Sequence, residues 1–429
     1  MQNIITSKKI LLLWTILWLT LEIFICTMFY LPNGQRINVP YGQYVFFAVG
    51  LITSVILIIC YKRQIFRNTS KFFLLLLFLL FGICFISGIL GLAPFYSIRL
   101  LVIVFITSLP FMLIGILSAN FLRSKVVYPI LFFGFLSAFG AIFLEYYGSV
   151  HVFGLMINNF HWEPTRWSFV FCQANGLGDE IALTIAAFLY GILVIKGVKK
   201  QVLILLLLLP LWFVLYKTNS RSAILLTGFS VFVFCIVNIF RLQEYFKWSV
   251  IKRNLILLSF LIICTLLAIV AVIFASHYFR IDISNMNSFT SARWQYWMLI
   301  LKGFNNNLFF GYGYGGTQMF LKNPDIGAYN IYIDLAGQTG LFGLGALLLF
   351  WFSGIFLSIK YIIKSWNIDR NLSFFAVFIL MLLGGMVLEQ LGDSFILFIN
   401  KFNFVFFFAI AAAYALPFAY KKAINNVPV

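Results

Sequence analysis

FFLLLLFLLFGICFISGILGL, residues 72–92, is a run of 21 residues without a charged side chain, entered through Lys71. As a helix it would extend roughly 30 Å, the thickness of a bilayer's hydrocarbon core, and within lipid a helix satisfies its own backbone groups. Working outward, comparable runs recur at 10–31, 41–60, 100–118, 126–145, 178–196, 201–216, 222–240, 255–275, 336–359, 372–392 and 400–419. The pattern predicts an all-α integral membrane protein of about 12 transmembrane helices forming one polytopic domain, residues 1–429. With 63% hydrophobic and 10% charged residues, the chain lacks the polar surface of a water-soluble protein. Ile10 to Tyr30 is too long for a signal-peptide core and reads as the first span.

Thirty lysines and arginines against twelve acids give a formal charge of +18. Twenty of the cations fall in the tails and in alternate turns, at 8–9, 62–71, 123–125, 196–200, 241–253, 360–370 and 421–422, beside only two acids, Glu244 and Asp369. The other segments balance, so the net charge sits on one face, which the positive-inside rule makes cytoplasmic together with both termini. A basic excess distributed in this way is topology and argues against a nucleic-acid partner. The cysteines lie in or near spans, apart from Cys172, and form neither a disulfide framework nor a zinc spacing.

Two extracytoplasmic segments stand apart, 145–178 and 276–336, and binding groups collect on such loops. In the second, Thr290 or Ser291 is placed to cap an interfacial helix through ARWQYWMLILKGF, with Trp294, Trp297 and Leu301 on one side. GYGYGG at 311–316 has dinucleotide-fingerprint spacing but no strand or crossover unit around it, so it reads as a tight turn. AYNIYIDLAGQTGLFGL, 328–344, reads as a helix feeding the tenth span, with Asn330, Asp334 and Gln338 as a polar stripe.

Arg221, between two closely spaced spans, and Arg293, opening the interfacial helix, sit at the outer membrane edge. A snorkelling arginine is the plain alternative; a planar guanidinium gripping a lipid pyrophosphate is the functional one. Glu389 and Asp393 are expected on one helix face at the outer end of the eleventh span, and Glu22 lies within the first. Asp179 and Glu180 suit a helix N-terminus, and His161 with Glu163 is a weak acid/base pair. No metal-ligand spacing is present.

Four stretches together resemble the bacterial O-antigen polymerase and O-antigen ligase family. RWSFVFCQANGLGDEIAL, 166–183, is similar to that family's entry to the helix after its first large periplasmic loop, with Arg166 and Asn175 on the recurring Arg and Asn. TNSRSAIL, 218–225, resembles its Ser-Arg turn, carrying Arg221. SARWQYWMLILKGFNNNLFFGYGYGG, 291–316, resembles its Arg-plus-Gly-turn segment, carrying Arg293. The 328–344 stretch resembles its His-Asn motif, with Asn330 on the Asn and Tyr329 where ligases carry the His. A phenol with an ordinary pKa of about 10 is a poor base near neutrality, which weakens the ligase reading and leaves the base open.

The resemblance implies a multi-span, GT-C-like, metal-independent, inverting glycosyltransferase without a cofactor, in the bacterial inner membrane with a periplasmic site. As a polymerase it would move a growing glycan from undecaprenyl pyrophosphate to an incoming lipid-linked repeat unit. As a ligase it would move the glycan to a lipid A core. It further implies membrane lipid, a chain-length regulator and a flippase as partners. The catalytic candidates are Arg221, Arg293, Tyr329, Asn330 and Asp334; Arg166, Asn175, Arg280, Glu389 and Asp393 are substrate-binding candidates. A lipid-linked sugar flippase or secondary transporter is the rival class, marked by internal repeats that this sequence lacks.

Overall fold

The computed structural model describes residues 2–26, 28–30, 36–38, 40–148, 150–152, 155–157, 166–167, 174–278, 293–321, 328–392 and 401–426. Twelve long helices dominate: α1 (Gln2–Cys26), α2 (Pro40–Asn68), α3 (Lys71–Leu90), α4 (Pro94–Phe121), α5 (Val127–Tyr147), α6 (Ala174–Val194), α7 (Val198–Thr218), α8 (Arg221–Phe246), α9 (Val250–Tyr278), α12 (Ile331–Ser365), α13 (Arg370–Glu389) and α14 (Lys401–Ile424). Two short helices, α10 (Trp294–Asn306) and α11 (Thr317–Phe320), precede α12. Among the described residues ten helices are long and apolar enough to cross a membrane. Two further helices, α1 and α9, with 25 and 29 residues, occupy the places expected for the first and ninth spans.

The helical membrane fold carries one addition. Strands β1 (Met28–Tyr30), β2 (Arg36–Asn38), β3 (Val150–Val152) and β4 (Leu155–Ile157) form an antiparallel sheet in the order β2-β1-β4-β3. The α1–α2 segment thus pairs with the first large segment. Three-residue strands are too short to leave a periodic signature in sequence.

The inner helices are α4, α6, α13 and α14. An aromatic seam joins α1, α2, α4 and α14: the Trp14 ring stacks on Phe408 at 5.1 Å, Phe111 stacks on Phe404 at 4.8 Å, and Phe46 meets Phe404 at 5.0 Å. Lipid tails are as apolar as these side chains, so association rests on close packing and interhelical hydrogen bonds. Asn403 donates to Ser108 Oγ at 3.0 Å, Trp14 Nε1 donates to the Val126 carbonyl at 2.9 Å, and Gly115 admits the backbone of Phe408.

The cation-rich turns meet at one end of the bundle. Arg123 pairs with Asp369 at 2.7 Å, Arg370 pairs with Glu244, Ser7 Oγ donates to the Phe121 carbonyl, and Lys422 lies over the Phe121 ring. Both acids of that face are therefore spent on its own arginines.

At the opposite end α12 is broken. Gly340 has φ +68°, and the chain turns there before continuing to Ser365. A break inside a bundle orphans backbone groups that must find partners. The 308–313 segment supplies them. Leu341 and Phe342 donate to the carbonyls of Leu308 and Phe309, at 2.9 and 3.4 Å. In return Tyr312 and Gly313 donate to the carbonyls of Gly337 and Gln338, at 2.9 and 3.0 Å. Ser87 of α3 donates to Phe310 and Gln338 oxygens, both at 2.7 Å, and Leu92 donates to Tyr312 O at 3.0 Å.

The glycine-rich stretch is thus the expected turn, with positive φ at Gly311, Gly313 and Gly315. Gly313 has φ +114°, and a Cβ there would stand 2.7 Å from Gly91 Cα. Gly313→Ala should lower stability by roughly 1–3 kcal/mol through strain and overpacking. Thermal unfolding in detergent should show the drop, whereas Gly82→Ala, at a site with nothing within 4 Å, should not.

Candidate active site

The end away from the cation-rich turns gathers the starts of α6, α8, α10 and α12. Arg166 reaches from the segment before α6: Nε donates to the Thr218 carbonyl at 2.9 Å, and NH2 to Asn175 Oδ1 at 2.9 Å and the Asn219 carbonyl at 3.4 Å. Trp167 N adds a bond to Lys217 O at 3.1 Å, and the Lys217 ammonium lies over the Trp167 ring. These contacts hold the α7–α8 turn, where Asn219 takes the left-handed conformation that asparagine tolerates (φ +49°) and Ser220 caps α8. Arg221 is the first residue of α8. Gly178 lets α6 close against this turn, since a Cβ there would meet Ser220 Cβ at 2.6 Å.

The second arm is built on the turn 390–392. Helix α13 stops at Glu389. Gln390 instead continues into a turn whose carbonyls bind other elements. Ile331 N donates to Gln390 O at 3.2 Å, Asn330 Nδ2 to Leu391 O at 3.0 Å, and Arg293 NH1 to Gly392 O. A Cβ on Gly392 would lie 3.4 Å from Ser222 Cβ, which brings this turn to the residue after Arg221. Gly392 thus meets both Arg293 and Ser222, the residue that follows Arg221 in α8.

Tyr329, Asn330 and Asp334 share the entry to α12 but differ in surroundings. The Arg293 guanidinium carbon lies 4.6 Å from the Tyr329 ring centroid, and Tyr329 has φ +49°, rare for an aromatic residue. Asn330 caps α12, its Oδ1 accepting from Tyr332 N and Ile333 N at 3.1 Å each. Asp334 is buried beneath the glycine turn. Its Oδ1 accepts from Thr317 Oγ1 and, at 2.8 Å, from Gln338 Nε2; Gln338 Oε1 accepts from Gly315 N at 2.7 Å. Thr317 Oγ1 is also within 2.9 Å of Tyr312 OH, and burial, with the Asp334 carboxylate beside it, pushes that phenol well above its ordinary pKa. Glu389 is buried and accepts from the Gln390 side chain; Asp179 and Glu180 are buried in the first turns of α6.

Arg280, Asp393, Glu163, His161, Thr290 and Ser291 lie outside the described residues, as does the side chain of Glu22. The 390–392 turn escaped sequence reasoning because its work is done by main-chain oxygens, which leave no residue signature. Thr317 and Ser222 had no signal either.

Residues 201–349 match a family model described as O-antigen ligase. The match covers that part of the chain and supports the resemblance to the O-antigen ligase and polymerase family. The matched segment contains Arg221, Arg293, Tyr329, Asn330 and Asp334, whereas Arg166, Asn175 and Glu389 lie outside it. A search of curated proteins finds no match. The apolar helices make this a multi-pass membrane protein, and the family match supports an enzymatic role in surface-polysaccharide synthesis.

The Asp334 network makes a distinct prediction. Asp334→Leu leaves Thr317 and Gln338 without their acceptor in a buried place and should cost roughly 1–3 kcal/mol of stability. Asp334→Asn keeps an acceptor oxygen and should retain most of the stability and activity. Thermal unfolding together with glycan transfer by both variants checks this; a folded but inactive Asp334→Asn protein would instead make the carboxylate a chemical participant.

Proposed function

We propose that the protein is a polymerase of surface-polysaccharide repeat units, acting from the periplasmic side of the bacterial inner membrane. The carrying observation is that the 390–392 turn meets both Arg293 and Ser222, the neighbour of Arg221, beside the N-termini of α8, α10 and α12. Arginine forks and helix N-termini are the groups that stabilise a pyrophosphate, by bidentate hydrogen bonding and by the positive end of the helix dipole. The site end lies away from the cation-rich end, which supports a periplasmic site with both termini in the cytoplasm.

In this reading a hydroxyl of the incoming repeat unit attacks the anomeric carbon of the growing glycan as the bond to undecaprenyl pyrophosphate breaks. The electron pair passes to the leaving phosphate oxygen, where Arg221 and Arg293 neutralise the developing charge. Direct displacement inverts the anomeric centre. Arg166 and Asn175 serve by fixing the α7–α8 turn that aims Arg221, Asn330 by fixing the start of α12, and Asp334 by holding the glycine turn. Glu389, buried at the end of α13, is a candidate to receive the acceptor's proton. A chain-length regulator and a flippase are the partners this activity calls for.

The ligase reading, transfer to a lipid A core, draws on the description of the matching family model. Tyr329 in the place of the ligase His favours the polymerase.

Arg221 tests the proposal. Removing a charge-stabilising contact to the leaving group should cost roughly 10²- to 10³-fold in rate, and lysine should not restore it, because the forked geometry is lost. Transfer from a lipid pyrophosphate-linked donor by purified, folded Arg221→Ala and Arg221→Lys variants reads this directly. Near-normal rates in Arg221→Ala would return the residue to a snorkelling role.

A further inference from the structure

We infer that Tyr329 is a positioning residue for Arg293, an aromatic platform that sets the plane of the guanidinium, and that its phenol takes no part in proton transfer. The inference rests on the pyrophosphate reading above and assigns Tyr329 a job within it.

Two independent observations carry it. The guanidinium has two anchors here: its carbon lies 4.6 Å from the Tyr329 ring centroid, and its NH1 donates to the Gly392 carbonyl. A ring on one side and a carbonyl at one edge determine the direction in which the fork points, which an arginine on a flexible stem does not achieve by itself. The second observation is the backbone. Tyr329 stands at φ +49°, where a bulky L-residue is strained, and such strain persists only where the surroundings over-determine it. The surroundings here are clear. Asn330, the next residue, is tied to Leu391 O and caps α12, while Trp297 Nε1 donates to the Ala328 carbonyl at 2.6 Å on the other side. The chain is therefore anchored before and after Tyr329, and the left-handed residue between the anchors holds its ring under Arg293. Helix α10 joins the same unit, because Arg293 immediately precedes it and Trp297 belongs to it.

Arg293 thus reads out the position of three elements at once: α10, the start of α12 and the end of α13. A ring is what this place needs, and a hydroxyl on that ring is not. The substitution of Tyr for His then needs no replacement base at the same position.

The test uses the full-length protein with a lipid pyrophosphate-linked repeat unit as both donor and acceptor. Tyr329→Asn removes the ring while supplying a residue that accepts the left-handed conformation. It should keep or raise thermal stability, yet lower transfer by roughly 2- to 30-fold, the range of a lost cation–π contact. Tyr329→Phe keeps the ring and should recover most of that loss, with the wild-type pH profile. In an Arg293→Lys background Tyr329→Asn should add little further loss, because the two residues act as one unit. Three results would overturn the inference: a Phe variant as slow as Asn, a Phe pH profile displaced from the wild type, or losses that multiply independently in the double variant. Absence of transfer by the wild-type protein would overturn the pyrophosphate reading itself, which these variant comparisons do not touch.

Discussion

A helix broken inside a membrane bundle must have its backbone groups satisfied by protein, and in this molecule that requirement falls on α12 at Gly340. The carbonyls at 337–338 and the N–H groups at 341–342 pair with residues 308–313, as a strand pairs with an edge. The arm of the site that carries Arg293 follows from that insertion. The inserted loop is the continuation of α10, so fixing the loop fixes α10 and Arg293 at its start. The same loop is pinned on its outer side by Ser87, Leu92 and Ser97 around the α3–α4 turn. The nine residues of α12 ahead of the break, capped by Asn330, present Tyr329 at one end and the Asp334–Gln338 pair along one side.

The comparison of strengths sorts the polar residues by what they do. Asp334, Gln338, Thr317 and Tyr312 form a buried network in which each oxygen or nitrogen serves a neighbour, and the cost of leaving a buried polar group unserved is what holds the turn. Arg166 donates to main-chain carbonyls of the α7–α8 turn and to the Asn175 side chain. Arg293 donates to the Gly392 carbonyl and lies over the Tyr329 ring, and Arg221 heads a helix whose cap, Ser220, is itself packed against Gly178. Framework and charge are thus divided between different residues. Rigidity comes from the buried network and the carbonyl staples, and the positive potential from arginines at helix starts.

Much of this was legible in the sequence. The apolar runs and the charge asymmetry located the helices and the cation-rich end, because both follow from the bilayer as solvent. The glycine turn at 311–316, the helix carrying Trp294 and Trp297, and the helix entered at Asn330 were legible through local chemistry. Three things were not. The sheet joining 28–38 to 150–157 is built from strands too short for periodicity. The end of α13 at Glu389 was overrun because the apolar pattern continues through Leu391. The hub at 390–392 acts through carbonyl oxygens, which every residue possesses, and so no residue pattern marks it. Arg166 illustrates the same limit: among its partners are main-chain oxygens of the α7–α8 turn, which no residue pattern marks.

The central claim is that this site transfers glycan between two lipid-linked substrates. The direct measurement is incubation of the purified protein with a single lipid pyrophosphate-linked repeat unit and no lipid A core, followed by separation of the products by length. The account predicts a ladder of lipid-linked oligomers, with one undecaprenyl pyrophosphate released for each bond formed. An unchanged single repeat that is consumed only when lipid A core is supplied would contradict it.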